Sequence, residues 1–180
     1  MKIEHAKDKY KNTAVPVMLE KFGYGNYLAV PRLKKVVVNT GIGKVLKESD
    51  KVEEIMDTLR DITGQKLIKT RAKKAISGFK IRQGQEIGAK ITLRGQRMWD
   101  FVDRLVSATL PRIRDFQGID EKSIDESGNL NLGIKEQVVF PEVSPEKVRN
   151  SFGLQLTMTT TAKNRKEGKE LLKLLGFPIK

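Results

Sequence analysis

Two segments of this chain alternate apolar and polar residues with a period of two. They are "EIGAKITLR" (86–94) and "GLQLTMTTT" (153–161). Successive side chains of a β-strand point to opposite faces, so each segment predicts a strand with one buried and one exposed face. Such strands are typical of antiparallel or mixed sheets that helices cover on one side. This alternation constrains the fold most, because the sheet must keep one polar face open.

Three more strands and four main helices are predicted around these two segments. The strands are "KKVVVNTGI" (34–42), "QKLIKTR" (65–71) and "NLNLGIKEQ" (129–137). The first helix covers residues 5–22 and the third covers residues 97–114. The second begins at a cap formed by Ser49 and runs to Ile62, and the last begins at "NRKE" (164–167). Pro16 should start or kink the first helix. Asn164 and Glu167 can form a capping box at the start of the last one.

The helical spacing also predicts which side chains form the core. Helix 97–114 should bury one stripe, namely Trp99, Val102, Val106, Leu110 and Ile113. The open face of the sheet should carry hydrogen-bonding and cationic side chains, namely Asn39, Lys69 or its neighbours, Lys90, Thr92, Gln155, Thr157 and Thr159. A polar, charged surface of this kind suits RNA better than a protein core.

The charge balance points to an anionic partner. The 180 residues include 35 Lys and Arg against 22 Asp and Glu, which gives a net charge of +13 and a pI near 9.9. Nucleic acid is favoured over a membrane surface, with a merely soluble basic protein as the alternative. The chain has no cysteine, no export signal and no apolar run long enough to span a membrane, so we expect a cytoplasmic protein.

One segment concentrates the positive charge. "TRAKKAISGFKIRQG" (70–84), which we call the basic loop, carries five cations around Phe79 and no acid. An aromatic ring among cations can stack on an unpaired base while the cations bind phosphates. RNA is favoured over duplex DNA, because no predicted helix concentrates Arg, Asn or Gln on one face for the major groove. The alternative is a solvated, charged hairpin tip. The segment from Asp115 through Glu146 has the opposite character, with eight acids against two lysines, and predicts a second kind of neighbour.

The sequence has no recognisable motif for catalysis or for a zinc site. His5 is the single histidine, and it lies in a terminal segment where we expect a plain surface residue. The glycines of "NTGIGK" (39–44) fit neither the P-loop spacing nor the dinucleotide-binding one, and no serine has a GxSxG context. The sequence therefore predicts no enzyme, no metal and no cofactor.

Four segments resemble, in order, the signatures of the bacterial-type family of large ribosomal subunit protein five. They are "VPRLKKVVVNTGIG" (30–43), "TRAKKAISGFKIRQGQEIG" (70–88), "LGIKEQVVFPEV" (132–143) and "ELLKLLGFP" (170–178). The resemblance covers essentially the whole chain. It implies one ribosomal-protein domain over residues 1–180, an α+β fold with a five-stranded, mostly antiparallel sheet, helices packed on one face and a polar face open to RNA.

The resemblance also implies partners and site residues. The protein would be ribosome-bound and would join 5S rRNA to the central protuberance, using the open face at Asn39, Thr40, Gln65, Lys69, Lys90 and Thr92. The basic loop would contact transfer RNA in the peptidyl site through Arg71, Lys73, Lys74, Ser77, Gly78, Phe79, Lys80 and Arg82. The acidic segment would approach small-subunit protein thirteen through Glu136, Glu142 and Glu146. Further implied partners are 23S rRNA and other proteins of the central protuberance, with no membrane. An RNA-modifying enzyme or an RNA chaperone is the alternative.

Overall fold

The sheet has five strands in the order β2-β3-β1-β5-β4. A computed structural model describes residues 4–46 and 48–180. The strands are β1 (Leu33–Gly41), β2 (Ile68–Arg71), β3 (Glu86–Leu93), β4 (Leu130–Ile134) and β5 (Leu154–Thr160). They pair antiparallel, and four helical segments accompany them. The predicted α+β fold class is thus confirmed.

Two of the four helical segments contain a π-helical turn. The helices are α1 (Ala6–Lys9), α2 (Val15–Phe22), α3 (Ser49–Thr63), α4 (Gly95–Arg104), α5 (Leu110–Arg112) and α6 (Arg165–Leu174). The π turns are Tyr10–Ala14, which joins α1 to α2, and Leu105–Thr109, which joins α4 to α5.

Each π turn ends two residues before a proline, Pro16 in one case and Pro111 in the other. A proline has no N–H to donate, and its ring crowds the carbonyl four residues earlier. Widening the preceding turn relieves this crowding without ending the helix. Pro16 was expected to start or kink the first helix, and the structure has a π turn just before it and another just before Pro111.

The Cα positions divide the chain into two compact units. The first unit is Met1–Val36, Arg94–Leu132 and Thr157–Lys180, and the second is Val37–Leu93 and Gly133–Leu156. Strands β1, β4 and β5 each contribute residues to both.

The core of the first unit includes a face of α4 that differs from the predicted stripe. Met98, Phe101 and Val102 are buried, whereas Trp99 is only half-buried and packs against the Tyr10 ring. The prediction of Trp99 as a core residue was wrong. The helix carries two apolar stripes, one that includes Met98 and one that includes Trp99, so periodicity alone did not identify its buried face.

The second unit buries Ile55, Leu59 and Ile62 of α3. The helix begins at Ser49 itself, and Glu48 is the residue before it, with no side-chain cap. The prediction that Ser49 caps α3 was therefore wrong by one position. Ser144 precedes a short 3-10 helix, Pro145–Lys147, and its side chain makes no capping bond.

The predicted Asn164 cap of α6 is confirmed, but the return bond from Glu167 is made to the backbone N–H of the residue before the cap and not to that of Asn164 itself. The Glu167 N–H donates to Asn164 Oδ1 at 2.9 Å, and the Glu167 carboxylate accepts the Lys163 N–H at 2.9 Å. The same helical turn holds Gly168, where a Cβ would lie 2.4 Å from Gly128 Cα. Only two glycines allow these backbones to approach so closely.

No helix within residues 4–46 and 48–180 is long and apolar enough to cross a membrane.

Candidate nucleic-acid interface

Adjacent residues of β1 point to opposite sides of the sheet. Asn39 is exposed, whereas Thr40 is 3% exposed and donates its hydroxyl to Gly153 O at 2.7 Å. The predicted open face therefore includes the side chain of Asn39 and not that of Thr40. The role of Thr40 in this geometry is to join β1 to the chain that enters β5.

Strand β3 continues the same face in the second unit. Lys90 is exposed and Thr92 is half-buried, whereas their neighbours Ala89 and Ile91 are buried. The Ile42 N–H donates to Ile87 O at 2.9 Å across the β1–β3 pair. Counting three residues from that bond along each antiparallel strand brings Asn39 beside Lys90.

Gln65 joins this surface from the end of α3. Its Nε2 donates to Thr92 O at 3.1 Å, which fixes the amide group next to Thr92. The predicted residues Asn39, Gln65, Lys90 and Thr92 are thus brought to one polar surface, which we call the open face. Sequence spacing did not predict the Gln65 bond, because it joins residues 27 positions apart.

The strand register corrects the placement of Lys69. Lys69 pairs with Ala89, and Ile68 pairs with Lys90. Directly paired residues share a face, so Lys69 lies on the side of buried Ala89 and its neighbour Ile68 takes the open-face position. Lys69 Nζ instead forms an ion pair with Glu86 Oε2 at 2.7 Å. Ile68 is 68% exposed, which leaves an apolar side chain on the polar face.

The basic loop folds as an extension of the β2–β3 hairpin. At its base, the Ala72 N–H donates to Gln85 O and the Gly84 N–H donates to Ala72 O, at 2.8 and 2.9 Å. Nearer the tip, Ile76 and Ile81 exchange backbone bonds of 2.9 and 3.1 Å. The loop therefore has backbone order of its own, although nearly all its side chains lie in solvent.

Phe79 lies at the tip of this loop with 76% of its surface exposed. It ends a 3-10 turn, Ser77–Phe79, and Lys80 follows in the left-handed region at φ 54°. Removing an exposed apolar ring from water is favourable, so the position of Phe79 fits contact with a partner.

The cations of the basic loop are nearly free of intramolecular partners. Within the part of the chain that the structure describes, only Arg71 approaches a carboxylate, with Nη2 4.0 Å from Glu86 Oε1. The others are exposed without an ion pair in that part, namely Lys73, Lys74, Lys80 and Arg82. Their charge is therefore available to an anionic partner.

The three predicted bridge residues all belong to the second unit. Glu136 and Glu146 are exposed, and Glu142 is half-buried. Between them, Gln137 is 1% exposed, its Nε2 donates to Asn150 O at 2.7 Å and its Oε1 accepts the Phe152 N–H at 2.8 Å. This buried amide fixes the segment that follows the acids. The sequence did not indicate this contact, because a polar residue in a loop gives no sign of burial.

Glu54 holds the same segment from α3. Its carboxylate accepts the Arg149 N–H at 2.9 Å and the Asn150 side-chain amide at 2.8 Å. The backbone bond from Arg149 and then the Asn150 amide lower the pKa of Glu54.

His5 also has a partner, which the sequence analysis did not predict. Its exposed ring forms a 2.6 Å bond from Nδ1 to Asp103 Oδ2. The hydrogen bond to Asp103, and then the charge of that carboxylate, raise the pKa of His5. Across residues 4–46 and 48–180, no three His, Cys, Asp or Glu residues are grouped to hold a metal ion.

Two family models match this chain. The model described as "Ribosomal protein L5" matches residues 26–82, and the model that describes the C-terminus of the same ribosomal protein family matches residues 86–179. Between them they include the open face and residues 70–82 of the basic loop.

Curated relatives match over nearly the full length. Proteins named "Large ribosomal subunit protein uL5" from Carboxydothermus hydrogenoformans and Desulforamulus reducens are 47% and 49% identical over 173 residues. These alignments cover 96% of this chain and 97% and 96% of the relatives. The protein of that name from Rubrobacter xylanophilus is 48% identical, with 97% of each chain covered. These names agree with the family that the four sequence segments resemble.

Proposed function

Because this chain belongs to the ribosomal protein L5 family, whose members are structural ribosomal proteins and not enzymes, we propose that it binds 5S rRNA in the large subunit. The open face is the binding surface, with Asn39, Gln65, Lys90 and Thr92 as its contacts. Through this surface the protein anchors 5S rRNA in the central protuberance.

The observation that carries this proposal is the separation of polar and apolar residues on adjacent strands. Asn39 and Lys90 are exposed on one side, and Thr40 and Ala89 are buried on the other. Amide, hydroxyl and ammonium groups can together donate and accept hydrogen bonds along an RNA backbone and its 2′-hydroxyls. The side chains of Thr40 and Lys69, which point elsewhere, support the strands in this proposal and do not contact RNA.

The basic loop contacts a second RNA. Its free cations and exposed Phe79 suit the phosphates and unstacked bases of a folded RNA, which we propose is transfer RNA in the peptidyl site. We also propose 23S rRNA as a partner of the protein in the large subunit. In the basic loop, Ser77 and Gly78 form the turn that presents Phe79, and Gly78 has open space around it.

The acidic segment faces a protein. Glu136 and Glu146 are exposed, and Gln137 and Glu54 fix the chain beside them. Surface carboxylates on an ordered segment complement a basic protein surface. We assign them, with Glu142, to the contact with small-subunit protein thirteen across the intersubunit bridge. Other proteins of the central protuberance complete the set of partners.

A three-residue variant separates the two RNA surfaces. Replacing Lys73, Lys74 and Lys80 by Ala should leave the fold and 5S binding nearly intact, because these exposed side chains have no intramolecular partner within the described residues. Ribosomes that carry the variant should hold peptidyl-site transfer RNA less well. Filter binding to 5S rRNA and transfer-RNA occupancy are the two measurements. Loss of 5S binding with normal transfer-RNA occupancy would reverse the two assignments.

Specificity distinguishes this function from an RNA chaperone. A chaperone binds unrelated RNA as well as its biological target, whereas a 5S-binding protein should prefer 5S rRNA. Footprinting with purified protein should protect a defined region of 5S rRNA and leave an unrelated RNA of equal length uniformly accessible. Uniform protection of both RNAs would favour the chaperone.

A further inference from the structure

A groove in the first unit carries a second concentration of positive charge. Four segments line it, namely α1 with the π turn that follows, the residues before and at the start of β1, the start of α4, and Thr161 just after β5. Its charged side chains are all cations, contributed by Lys7, Lys11, Arg32 and Lys34. The basic loop and the open-face residues belong to the second unit, so this groove is a different surface.

The four cations have no ion pair among the described residues. Lys7 Nζ donates to the neutral Gln96 Oε1 at 2.9 Å. Elsewhere in the first unit, lysines do have carboxylate partners, as in the 2.8 Å pair of Lys21 with Glu170. Like charges that line one groove repel each other, so an anion in the groove would stabilise their arrangement.

The wall of this groove is aromatic. Tyr10 and Trp99, both half-buried, lie with their ring centroids 5.6 Å apart and their planes at 34°. Burial raises the pKa of Tyr10, and the nearby Arg32 charge opposes that rise. The Arg32 backbone is itself fixed, since its N–H donates to Thr161 Oγ1 at 3.0 Å. Cations are thus held beside a ring pair that is partly open to solvent.

We propose that this groove binds single-stranded or loop RNA, with phosphates on the four cations and an unpaired base against the Tyr10–Trp99 pair. The rings favour RNA over an acidic protein segment, because every base has a flat face that stacks on an aromatic side chain, whereas a carboxylate has none. The protein therefore has an RNA contact in its first unit in addition to those proposed for the second.

Trp99 is the single tryptophan of the chain, so tryptophan fluorescence reports on the surroundings of this one residue in the groove wall. An eight-nucleotide oligouridylate, labelled at one end, should quench Trp99 emission over the same concentration range in which the label shows binding. The quenching should persist in Asn39→Ala, because that residue belongs to the open face. Binding of the labelled RNA without any change in Trp99 emission would refute the proposal.

A charge-matched pair of variants tests the cations. Lys11→Ala with Lys34→Ala removes two exposed groove cations, and Lys166→Ala with Lys173→Ala removes two exposed cations of α6. The groove variant should bind the oligonucleotide at least about tenfold more weakly at low salt, with a log-log salt slope reduced by roughly 1.4 for two lost phosphate contacts. The α6 variant should change affinity by less than about twofold. If both variants lost affinity equally, general electrostatic attraction would explain binding, and the proposal would be refuted.

Two more arms complete the test. Lys11→Arg with Lys34→Arg keeps both charges and should keep most of the affinity, which separates binding from any change in folding. Polyglutamate of matched charge should not quench Trp99. If it quenches Trp99 as strongly as the oligonucleotide does, the groove accepts an acidic protein segment and the RNA proposal is wrong.

Discussion

Asn39 and Thr40 provide a test in which neighbouring residues should affect different properties. Their side chains leave β1 on opposite sides, one exposed and one 3% exposed. Asn39→Ala should reduce 5S binding without changing stability. Thr40→Val should reduce stability without a comparable effect on 5S binding at temperatures where the variant is folded.

The magnitudes follow from the contacts of each residue. Thr40→Val removes the hydroxyl that donates to Gly153 O at 2.7 Å, and a lost hydrogen bond of this kind costs about 1 to 2 kcal/mol. For a chain of this length, each kcal/mol lowers the melting temperature by roughly 2 to 4 °C. Asn39→Ala changes an exposed side chain, so the free energy of unfolding should stay within about 0.5 kcal/mol. Its loss of an RNA partner should cost about 1 to 3 kcal/mol, or roughly 5- to 150-fold in affinity.

Urea denaturation and filter binding to 5S rRNA measure the two effects separately. An unrelated RNA of the same length is the control, and its affinity should hardly change with Asn39→Ala. The reasoning fails if Thr40→Val weakens 5S binding at unchanged stability. It also fails if Asn39→Ala weakens binding to both RNAs equally, because Asn39 would then not recognise 5S rRNA.

Three further predictions use other contacts. Gly168→Ala should destabilise the protein by about 1 to 3 kcal/mol in urea denaturation, because the new Cβ would overlap the Gly128 backbone. An increase in stability of about 1 kcal/mol, as expected at an unhindered helix position, would contradict this close packing. Because the pKa of His5 is raised, its protonation should stabilise the folded state below pH 6.5, and this stabilisation should be lost as the pH rises through the folded-state pKa. NMR titration should find the pKa of His5 above 6.5, and Asp103→Asn should bring that pKa closer to 6.5. Affinity for 5S rRNA should fall with salt at a log-log slope of roughly 0.7 to 0.9 per phosphate contact, and a flat dependence would exclude the electrostatic contribution.

The strands and the Asn164 cap were predictable because each depends on nearby residues. The alternation of Ala89, Lys90 and Ile91 identifies a buried and an exposed side without any knowledge of neighbouring strands. Asn164 and Glu167 form their cap within one turn of chain. Such features require only the local backbone geometry, which the sequence pattern reflects directly.

The face occupied by Lys69 was not predictable from its own strand. The pairing of β2 with β3 shifts between Thr70 and Arg71, and the face of each β2 residue depends on where that shift occurs. Trp99 presents the related problem in a helix, since Met98 and Trp99 begin two apolar stripes and only packing selects between them. Both errors arise where tertiary contacts determine the orientation of a local element.

The same alternation that builds the sheet also separates the residues that fold it from those that we assign to RNA. Along β1, buried side chains such as Val36, Val38 and Thr40 stabilise the core, while Asn39 between them is free to contact a partner. A substitution on the exposed side leaves core packing intact, so RNA contacts can be altered one at a time without loss of the fold. The basic loop extends this separation, because its backbone bonds are made at its base and near Ile76 and Ile81, whereas its cations and Phe79 project into solvent. Changes in affinity without changes in stability are therefore the signature expected of both proposed RNA surfaces.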